Sequence, residues 1–399
     1  MVSVLVVGTA DTKGAELAYV AEVIRERGLD VAVVDVGTTP HDPPPGAVTP
    51  DDIAVHHPDG AGAVRSDDRG QAVAAMAIAL AGYVASRDDV AGIIGIGGSG
   101  GTALITPAMQ ALPVGVPKVM VSTVASGNVA PYVGAADIAM MYSITDVAGL
   151  NRISRVVLGN AANAVAGMAG NPVPASADDL PAAGLTMFGV TTPLVTQLVE
   201  ALAGRYDPLV FHATGTGGRS MEKLVGSGLI TAVLDMTTTE VADLVVGGVF
   251  PAGPDRLDVV AQTGVPYVGS CGALDMVNFG AKSTVPEQFA DRLLHVHNPE
   301  VTLMRTTVEE NVAFGEFIAS KLNACDGPVR FLLPEGGVSL LDAPGQAFWD
   351  PAADAALFTT IEELVEQTEN RQVRRYQHNL NDHEFAVAVL QALDEVTGR

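Results

Sequence analysis

The sequence is poor in cysteine and in aromatic residues. Only Cys271 and Cys325 occur among 399 residues, and there is no CxxC pair and no Cys/His spacing typical of a zinc site. Two cysteines cannot build the disulfide framework of a small secreted domain. Aromatic residues make up only 5% of the chain, whereas glycine and alanine are abundant. Such small side chains suit close packing of helices against a sheet.

Basic residues are also scarce. Lysine and arginine together number 22 against 46 acidic residues, which gives a formal net charge of −24. This charge argues against nucleic acid or an anionic membrane as a partner. An anionic ligand would therefore need a local site, built from backbone N–H groups or from one of the few lysines. Lysine occurs at five positions: Lys13, Lys118, Lys223, Lys282 and Lys321.

The sequence has no long apolar run. Its longest apolar segment, residues 72–85, is too short and too rich in alanine to span a bilayer, and it predicts a helix buried against a sheet. The chain opens on the strand-like segment VSVLVVG and shows no signal-peptide pattern there. We therefore expect a cytoplasmic protein without membrane contacts.

Strand-like and helix-like segments alternate along the whole chain. This alternation predicts an α/β fold with two Rossmann-like, doubly wound domains and mainly parallel sheets. The periodic pattern is lost at residues 171–184, where Pro, Ala and Asp dominate. We place an N-terminal nucleotide-binding domain at residues 1–175 and a C-terminal domain at residues 183–399, with a cleft between them. Residues 38–64, which are rich in Pro and Gly, are predicted to form a long surface loop.

The strongest signal is the stretch GIIGIGGSGGT between a predicted strand and a predicted helix. Gly95, Gly97 and Gly100 fit the G-x-G-x-x-G pattern, in which backbone N–H groups and a helix N-terminus hold a phosphate. The dinucleotide fingerprint also requires an acidic residue closing the next strand, but PKVMVST ends in two hydroxyl residues, and no Walker motif occurs. The alternative is that the glycines only permit a sharp turn and close helix packing. The candidates here are Gly97, Gly98, Ser99, Gly100, Gly101 and Thr102.

Three further turns follow predicted strands of the first domain: GTADTKG, STVASGN and SITDVAGLN. The carboxyl ends of parallel strands gather at one edge of a sheet, so these turns are expected to complete the pocket. Lys13 supplies a point charge for phosphate, and Asp146 with the hydroxyls suits ribose, phosphate or Mg²⁺. Helix capping by Asp11 or Thr12 and ordinary turn roles are the alternatives. The candidates are Gly8, Thr9, Asp11, Lys13, Ser122, Thr123, Ser126, Gly127 and Asp146.

The second domain has glycine-rich turns of its own. GTGGRS couples a glycine turn to an arginine and suits an anion. Cys271 lies in a glycine-flanked turn after a predicted strand, where its thiol could serve as a nucleophile. A buried, inert thiol is the alternative for Cys271. The pairs His295/His297 and His378/His383 lack a specific metal-ligand spacing, so no metal site is predicted. The second-site candidates are Thr214, Gly215, Gly217, Gly218, Arg219, Cys271 and Gly272.

Several long motifs, taken together and in order, resemble one family. They include GTADTKGAEL, GIGGSGGT, TMFGVTTP, FHATGTGGRSME, GALDMVNFG and HNPEVTLMRTT. The family is the uncharacterised one that includes the ATP-binding N-terminal region of the tomato mosaic virus resistance protein. The resemblance covers nearly the whole chain and implies two Rossmann-like domains, a homodimer and ATP as ligand. Plant members carry a further TIM-barrel region, which these 399 residues do not contain, so the antiviral role is not carried over.

These observations predict a protein that binds a nucleotide at the glycine cluster, namely ATP with or without Mg²⁺. A second small-molecule site at the cleft would make it an enzyme acting on an acidic metabolite. The competing expectation is a non-catalytic, nucleotide-responsive protein that regulates a partner enzyme. A purely structural role fits the number of glycine-rich edges less well.

Overall fold

A computed structural model describes residues 2–174, 176 and 179–399. The chain divides into two compact units, Met1–Ala175 and Ser176–Arg399, named unit 1 and unit 2. Residues 175, 177 and 178 of the predicted boundary segment lie outside the described residues. In the described part of the chain, no helix is both long and apolar enough to cross a membrane.

Unit 1 is a five-stranded parallel sheet with helices on both faces. The strand order is β2-β1-β3-β4-β5, so the chain winds first to one side of β1 and then to the other. The elements are β1 (Ser3–Gly8), α1 (Ala10–Arg25), β2 (Val31–Asp35), α2 (Pro50–Ala54), α3 (Arg69–Ala85), β3 (Val90–Gly97), α4 (Ser99–Ala111), β4 (Lys118–Ser122), α5 (Ala130–Val133), β5 (Ala139–Tyr142) and α6 (Arg152–Gly170).

Both faces of this sheet are buried because successive side chains of a strand point to opposite faces. Leu5 and Val7 of β1 pack in the core formed with α3 and α4. Val4 and Val6 pack in a second core formed with α1 and α6. The continuous apolar run of β1 therefore reflects a central strand with helices on both sides.

Residues 38–64 differ from the long surface loop predicted for them. Thr49 caps the short helix α2 in a capping box with Asp52. Ile53 from α2 is fully buried and joins the α3 side of the core. The segment therefore carries its own helix signal, which its prolines and glycines obscured.

Unit 2 contains a six-stranded parallel sheet in the order β14-β13-β9-β8-β6-β7 and a separate antiparallel sheet in the order β10-β12-β11. Counted from its own first strand, the parallel sheet repeats the order of unit 1 and adds one strand. The elements are β6 (Ala182–Met187), α7 (Thr192–Leu202), β7 (Asp207–His212), α8 (Thr216–Gly226), β8 (Ala232–Thr237), α9 (Thr239–Val246), α10 (Asp258–Thr263), β9 (Tyr267–Gly272), β10 (Met276–Phe279), β11 (Leu294–Asn298), β12 (Val301–Arg305), α11 (Val308–Asn323), β13 (Val329–Pro334), α12 (Pro351–Leu364), β14 (Arg371–Tyr376) and α13 (His383–Thr397).

The predicted fold class, two doubly wound α/β domains with mainly parallel sheets, is confirmed. In unit 2 an apolar cluster covers the carboxyl edge of the parallel sheet. It combines Phe188 and Val190, which follow β6, with Ala273, which follows β9. Leu303 from the antiparallel sheet and Phe348 complete it. The antiparallel insertion therefore covers the part of this edge next to β6 and β9, where doubly wound sheets commonly hold a ligand.

Candidate functional site

The carboxyl edge of the unit 1 sheet has its switch point between β1 and β3. β2 lies on the other side of β1, and β4 lies on the other side of β3. The connections from β1 and β3 therefore leave in opposite directions, and a crevice forms between their ends. The turn after β1 begins α1 at Ala10, and the turn after β3 begins α4 at Ser99. Both helix N-termini thus meet the crevice.

The N-terminus of α4 has no side-chain cap. Its N-cap residue, Gly98, is extended, and the first helical hydrogen bond runs from the Thr102 N–H to the Gly98 carbonyl at 2.8 Å. The N–H groups of Ser99, Gly100 and Gly101 precede that bond and have no acceptor within the helix. Ser99 and Gly100 are exposed. These three amides, with the helix dipole behind them, form an anion-binding arrangement.

The glycines of this stretch fall into two groups. A Cβ on Gly97 would lie 2.9 Å from the Gly101 backbone, and a Cβ on Gly95 would lie 2.6 Å from Met120 Sδ, so packing excludes side chains there. A Cβ on Gly98 or Gly101 would meet nothing closer than 3.7 Å, and one on Gly100 would meet nothing within 4 Å. None of these residues has a positive φ. The fold therefore requires glycine at the first two positions but not at the last three, where missing side chains leave room for a ligand.

The first amide of α1, which precedes a kink at Lys13, is bonded, in contrast, by a carboxylate of the protein. Asp35 Oδ1, at the end of β2, accepts hydrogen bonds from the Ala10 N–H at 3.0 Å and the Gly37 N–H at 2.9 Å. Asp35 Oδ2 lies 2.6 Å from His41 Nε2. Sequence reasoning missed both side chains, although an aspartate that closes the strand next to β1 is a recognisable signal.

Hydroxyl groups at the end of β4 and in the turn after it lie next to the N-terminus of α4. Thr102 Oγ1 and Ser122 Oγ are buried and lie 2.6 Å apart, which ties α4 to β4. The Thr123 N–H donates to the Gly97 carbonyl at 3.3 Å. Thr123 Oγ1 lies 3.7 Å from the position of a Cβ on Gly98 and so borders the crevice. Ser126 is exposed, as is Gly127.

Lys13 binds a backbone carbonyl of its own domain. Its Nζ donates to the Val147 carbonyl at 2.8 Å, and Glu16 Oε1 accepts from the Gly149 N–H at 2.6 Å. These two bonds attach the turn after β5 to α1. Asp146 accepts the N–H of Val147 at 2.8 Å. The predicted turns GTADTKG and SITDVAGLN are therefore brought together, with one of the three lysine N–H donors already used.

The residues at the start of α1 bond locally. Thr9 is the N-cap residue and makes no side-chain capping bond, while Asp11 lies in the first turn. Thr9 Oγ1 lies 3.0 Å from Thr12 Oγ1, and Thr12 Oγ1 donates to Asp11 Oδ1 at 3.3 Å. Gly8 packs against Leu17 of α1. The capping alternative for Asp11 and Thr12 is thus not what the structure shows.

In unit 2 the GTGG turn is filled by the protein itself. Glu240 Oε1 accepts hydrogen bonds from the N–H of Gly215 at 2.7 Å and of Gly218 at 3.1 Å. Arg256 Nε lies 3.2 Å from Glu240 Oε2. A Cβ on Gly217 would lie 1.9 Å from the His212 carbonyl oxygen. Internal packing therefore accounts for these glycines, and a carboxylate already engages two of the amides.

The other second-site candidates are either buried or bonded to a backbone carbonyl. Cys271 is fully buried, and burial raises the pKa of its thiol well above the ordinary value, as expected for an inert thiol. Gly272 packs on the Met236 carbonyl. Arg219 is exposed and donates to the Pro251 carbonyl at 3.3 Å. Thr214 Oγ1 donates to a backbone carbonyl at 3.4 Å.

The histidine pairs do not join a ligand cluster. His295 and His297 lie on β11, and His383 Nδ1 lies 3.0 Å from Gln197 Oε1. Within residues 2–174, 176 and 179–399, no group of three or more His, Cys, Asp or Glu side chains could hold a metal ion.

Unit 2 also has an open groove of about 500 Å³, with a mainly uncharged polar lining that includes Ser339 and Asn379.

A buried acidic cluster lies beneath the carboxyl ends of β9 and β13. Arg305 Nη2 is 3.1 Å from Asp354 Oδ1 and 3.6 Å from Asp342 Oδ1, and Ser339 Oγ donates to Asp275 Oδ2 at 2.8 Å. One guanidinium thus faces three buried carboxyl groups. Burial first, and the neighbouring Asp342 second, raise the pKa of Asp275 to about 7 and that of Asp354 to about 8.

Comparison with known proteins places both units in one family. Residues 2–173 match the N-terminal domain, and residues 180–397 the C-terminal domain, of the Uncharacterised protein family (UPF0261). A UPF0261 protein of Mesorhizobium japonicum is 58% identical over 395 residues, with 99% of both chains covered. A UPF0261 protein of Clostridium tetani is 44% identical over 395 residues, with 98% of both chains covered.

A plant relative is longer than this chain. The ToMV resistance protein Tm-1(GCR237) of Solanum lycopersicum is 44% identical over 419 residues, which cover 99% of this chain and 56% of the tomato protein. The resemblance read from the motifs is thereby confirmed. The chain belongs to the Uncharacterised protein family (UPF0261) through both of its domains.

Proposed function

We propose that the protein binds a nucleotide, ATP in the first place, with its phosphates at the N-terminus of α4. One observation carries the proposal: Gly98, Gly100 and Gly101 are glycines at positions where neither packing nor backbone conformation requires one. Their effect is to clear the space in front of an uncapped helix N-terminus. Phosphate groups use such a site in many nucleotide-binding folds.

The proposed contacts come mainly from the backbone. The N–H groups of Ser99, Gly100 and Gly101 donate to phosphate oxygens, and the hydroxyls of Ser99 and Thr123 flank them. The partial positive charge at the N-terminus of α4 offsets the repulsion that a net charge of −24 imposes on an anion. Mg²⁺ would arrive bound to the nucleotide phosphates, as is usual for this ion.

ATP is favoured over a dinucleotide because Asp35, the acidic residue at the end of the neighbouring strand β2, is already bonded within the protein. A dinucleotide site uses a carboxylate at a strand end to hold the ribose. Asp35 occupies such a strand end but is buried by its bonds to Ala10, Gly37 and His41. We therefore expect NADH to bind more weakly than ATP in parallel calorimetric titrations, and equal affinities would contradict this assignment.

The second candidate function is a non-catalytic, nucleotide-responsive regulator. It is favoured over an enzyme with a second substrate site because the second-site candidates of unit 2 are buried or already bonded within the protein. The Cys271 thiol is buried, and Glu240 occupies the amides of the GTGG turn. Time-dependent ATP loss in the presence of small carboxylic acids would favour the enzyme, and stable ATP would favour the regulator. We further propose that the protein is a cytoplasmic homodimer. A sedimentation experiment would measure the mass of the particle.

The test compares two variants, each of which replaces one glycine by aspartate. In Gly98→Asp, the new side chain can cap the α4 amides, which removes them from a ligand while stabilising the helix by a few tenths of a kcal/mol. We expect ATP affinity to fall by about tenfold or more. Gly167→Asp is the matched control, because Gly167 is exposed in α6 and a Cβ there meets nothing within 4 Å. Equal ATP affinity in Gly98→Asp and the control would overturn the proposal.

A further inference from the structure

A buried carboxylate joins three segments next to the proposed site. Asp35 ends β2 and is fully buried. Its Oδ1 accepts from the N–H of Ala10, the first residue of α1, and from the N–H of Gly37 in the following loop. Its Oδ2 lies 2.6 Å from His41 Nε2. The start of α1 is therefore held by the same carboxylate that holds the loop after β2.

The surroundings of His41 favour the positively charged form of its ring. Its Nε2 faces a carboxylate oxygen, and its Nδ1 lies 2.8 Å from the Thr39 carbonyl oxygen. Both partners are acceptors, and an imidazole that donates from both nitrogens is protonated. The bond to the Thr39 carbonyl, followed by the interaction with Asp35, raises the pKa of His41 above its ordinary 6.5 despite partial burial. Asp11 of α1 adds a smaller effect in the same direction.

The loop after β2 is shaped to seat the histidine ring. A Cβ on Gly37 would lie 2.5 Å from His41 Cε1. The ring therefore packs directly on the Gly37 backbone, which itself donates to Asp35. The side chain of His41 is 15% exposed, so protons from solvent can reach it.

We infer that Asp35 and His41 form a charged latch that positions the α1 side of the nucleotide site and weakens nucleotide binding as His41 loses its proton. The latch holds Ala10, directly after the β1 turn that lines the switch point opposite α4. His41 acts here as a positioning residue. The inference rests on the function proposed above, because the affinity that it regulates is that of the same site.

The direction of the pH effect follows from the histidine. Below its pKa, His41 is charged and donates to both acceptors, so the latch is complete. As pH rises through that pKa, one donor and the charge attraction to Asp35 are lost. Nucleotide affinity is therefore expected to be highest at mildly acidic pH and to decline toward alkaline pH.

The experiment compares ATP affinity by calorimetry at about pH 5.5 and about pH 8.5 in the wild type and in His41→Gln. Since the terminal phosphate of ATP also titrates in this range, the informative quantity is the difference between the two proteins. We expect the wild type to lose roughly five- to tenfold more affinity than the variant on going to the higher pH. His297→Gln, an exposed histidine of unit 2, should behave as the wild type. The same pH dependence in the wild type and in His41→Gln would overturn the inference.

A second measurement does not depend on ATP or on the folding of a variant. The ring-proton NMR signal of His41 in the ligand-free wild type should titrate with a midpoint above 6.5. A midpoint at or below 6.5 would overturn the latch. If the midpoint is raised but ATP fails to bind at any pH, the proposed function is contradicted and the regulatory role falls with it. The two failures are therefore distinguishable.

Discussion

The two units have the same strand order but treat the carboxyl edge of the sheet differently. In unit 1, three glycines at the N-terminus of α4 are not required by packing, and that helix N-terminus has no side-chain cap. In unit 2, the GTGG turn is pressed against the His212 backbone and closed by Glu240. Similar glycine-rich sequences therefore have two different causes, and only the unit 1 turn leaves room for a ligand.

The difference extends to the neighbouring elements. Unit 2 carries an antiparallel insertion whose Leu303 joins Phe188 and Phe348 over the sheet edge. The Leu194 N–H, near the start of α7, donates to Asn381 Oδ1 at 3.3 Å, so that helix N-terminus is engaged as well. A shared topology therefore supplies a possible site, while the side chains at the switch point decide whether it is filled or open.

The largest effect is expected from Gly217→Ala in unit 2. The added Cβ would lie 1.9 Å from the His212 carbonyl oxygen, so the backbone itself must move. We expect a loss of about 3 kcal/mol in the free energy of unfolding, at the upper end for overpacking. The matched substitution in unit 1, Gly100→Ala, meets nothing within 4 Å and should be neutral or stabilising by up to about 1 kcal/mol.

Denaturant unfolding of both variants measures this contrast, with hydrogen exchange of β7 and β3 amides assigning the loss to a unit. Equal destabilisation by the two substitutions would break the comparison, because it would mean that both turns require glycine for packing.

An intermediate effect is expected from the acidic cluster of unit 2. The pKa of Asp354 is raised to about 8 and that of Asp275 to about 7, so the native state keeps protons that the unfolded chain has lost. Stability should therefore fall as pH rises from about 4 toward about 8.

Asp354→Asn sharpens this test because the amide keeps the shape of the side chain without a titrating proton. Urea unfolding across the same pH range should show a shallower decline in the variant than in the wild type. An identical slope in both proteins would remove Asp354 from the proton balance.

The smallest effect is expected from Lys13→Met in unit 1. The substitution removes the hydrogen bond to the Val147 carbonyl and should cost about 1 kcal/mol of stability. ATP affinity should fall by less than about tenfold, because one N–H of the ammonium is already committed and the backbone amides carry most of the phosphate binding. Calorimetry and a melting curve on the same variant separate the two effects, and a larger affinity loss would make Lys13 a principal phosphate ligand.

The sequence predicted the features that depend on local pattern. Continuous apolar runs identified the central strands such as β1, and the glycine cluster was correctly expected between a strand and a helix. The role of each glycine could not be predicted, because it depends on contacts between distant residues. Gly218, for example, packs on Glu240. Asp35 accepts a hydrogen bond from the N–H of Ala10, the first residue of α1. The helix α2 was missed because proline and glycine on either side outweighed the capping box at Thr49.

The open turn of unit 1 is the site at which we propose that nucleotide phosphates bind. The most direct measurement is a crystal structure of the full chain with a non-hydrolysable ATP analogue. We expect phosphate oxygens within hydrogen-bond distance of the Gly100 and Gly101 backbone nitrogens, with the Glu240 contacts in unit 2 unchanged. Phosphates bound elsewhere, such as in the unit 2 groove lined by Ser339 and Asn379, would contradict it.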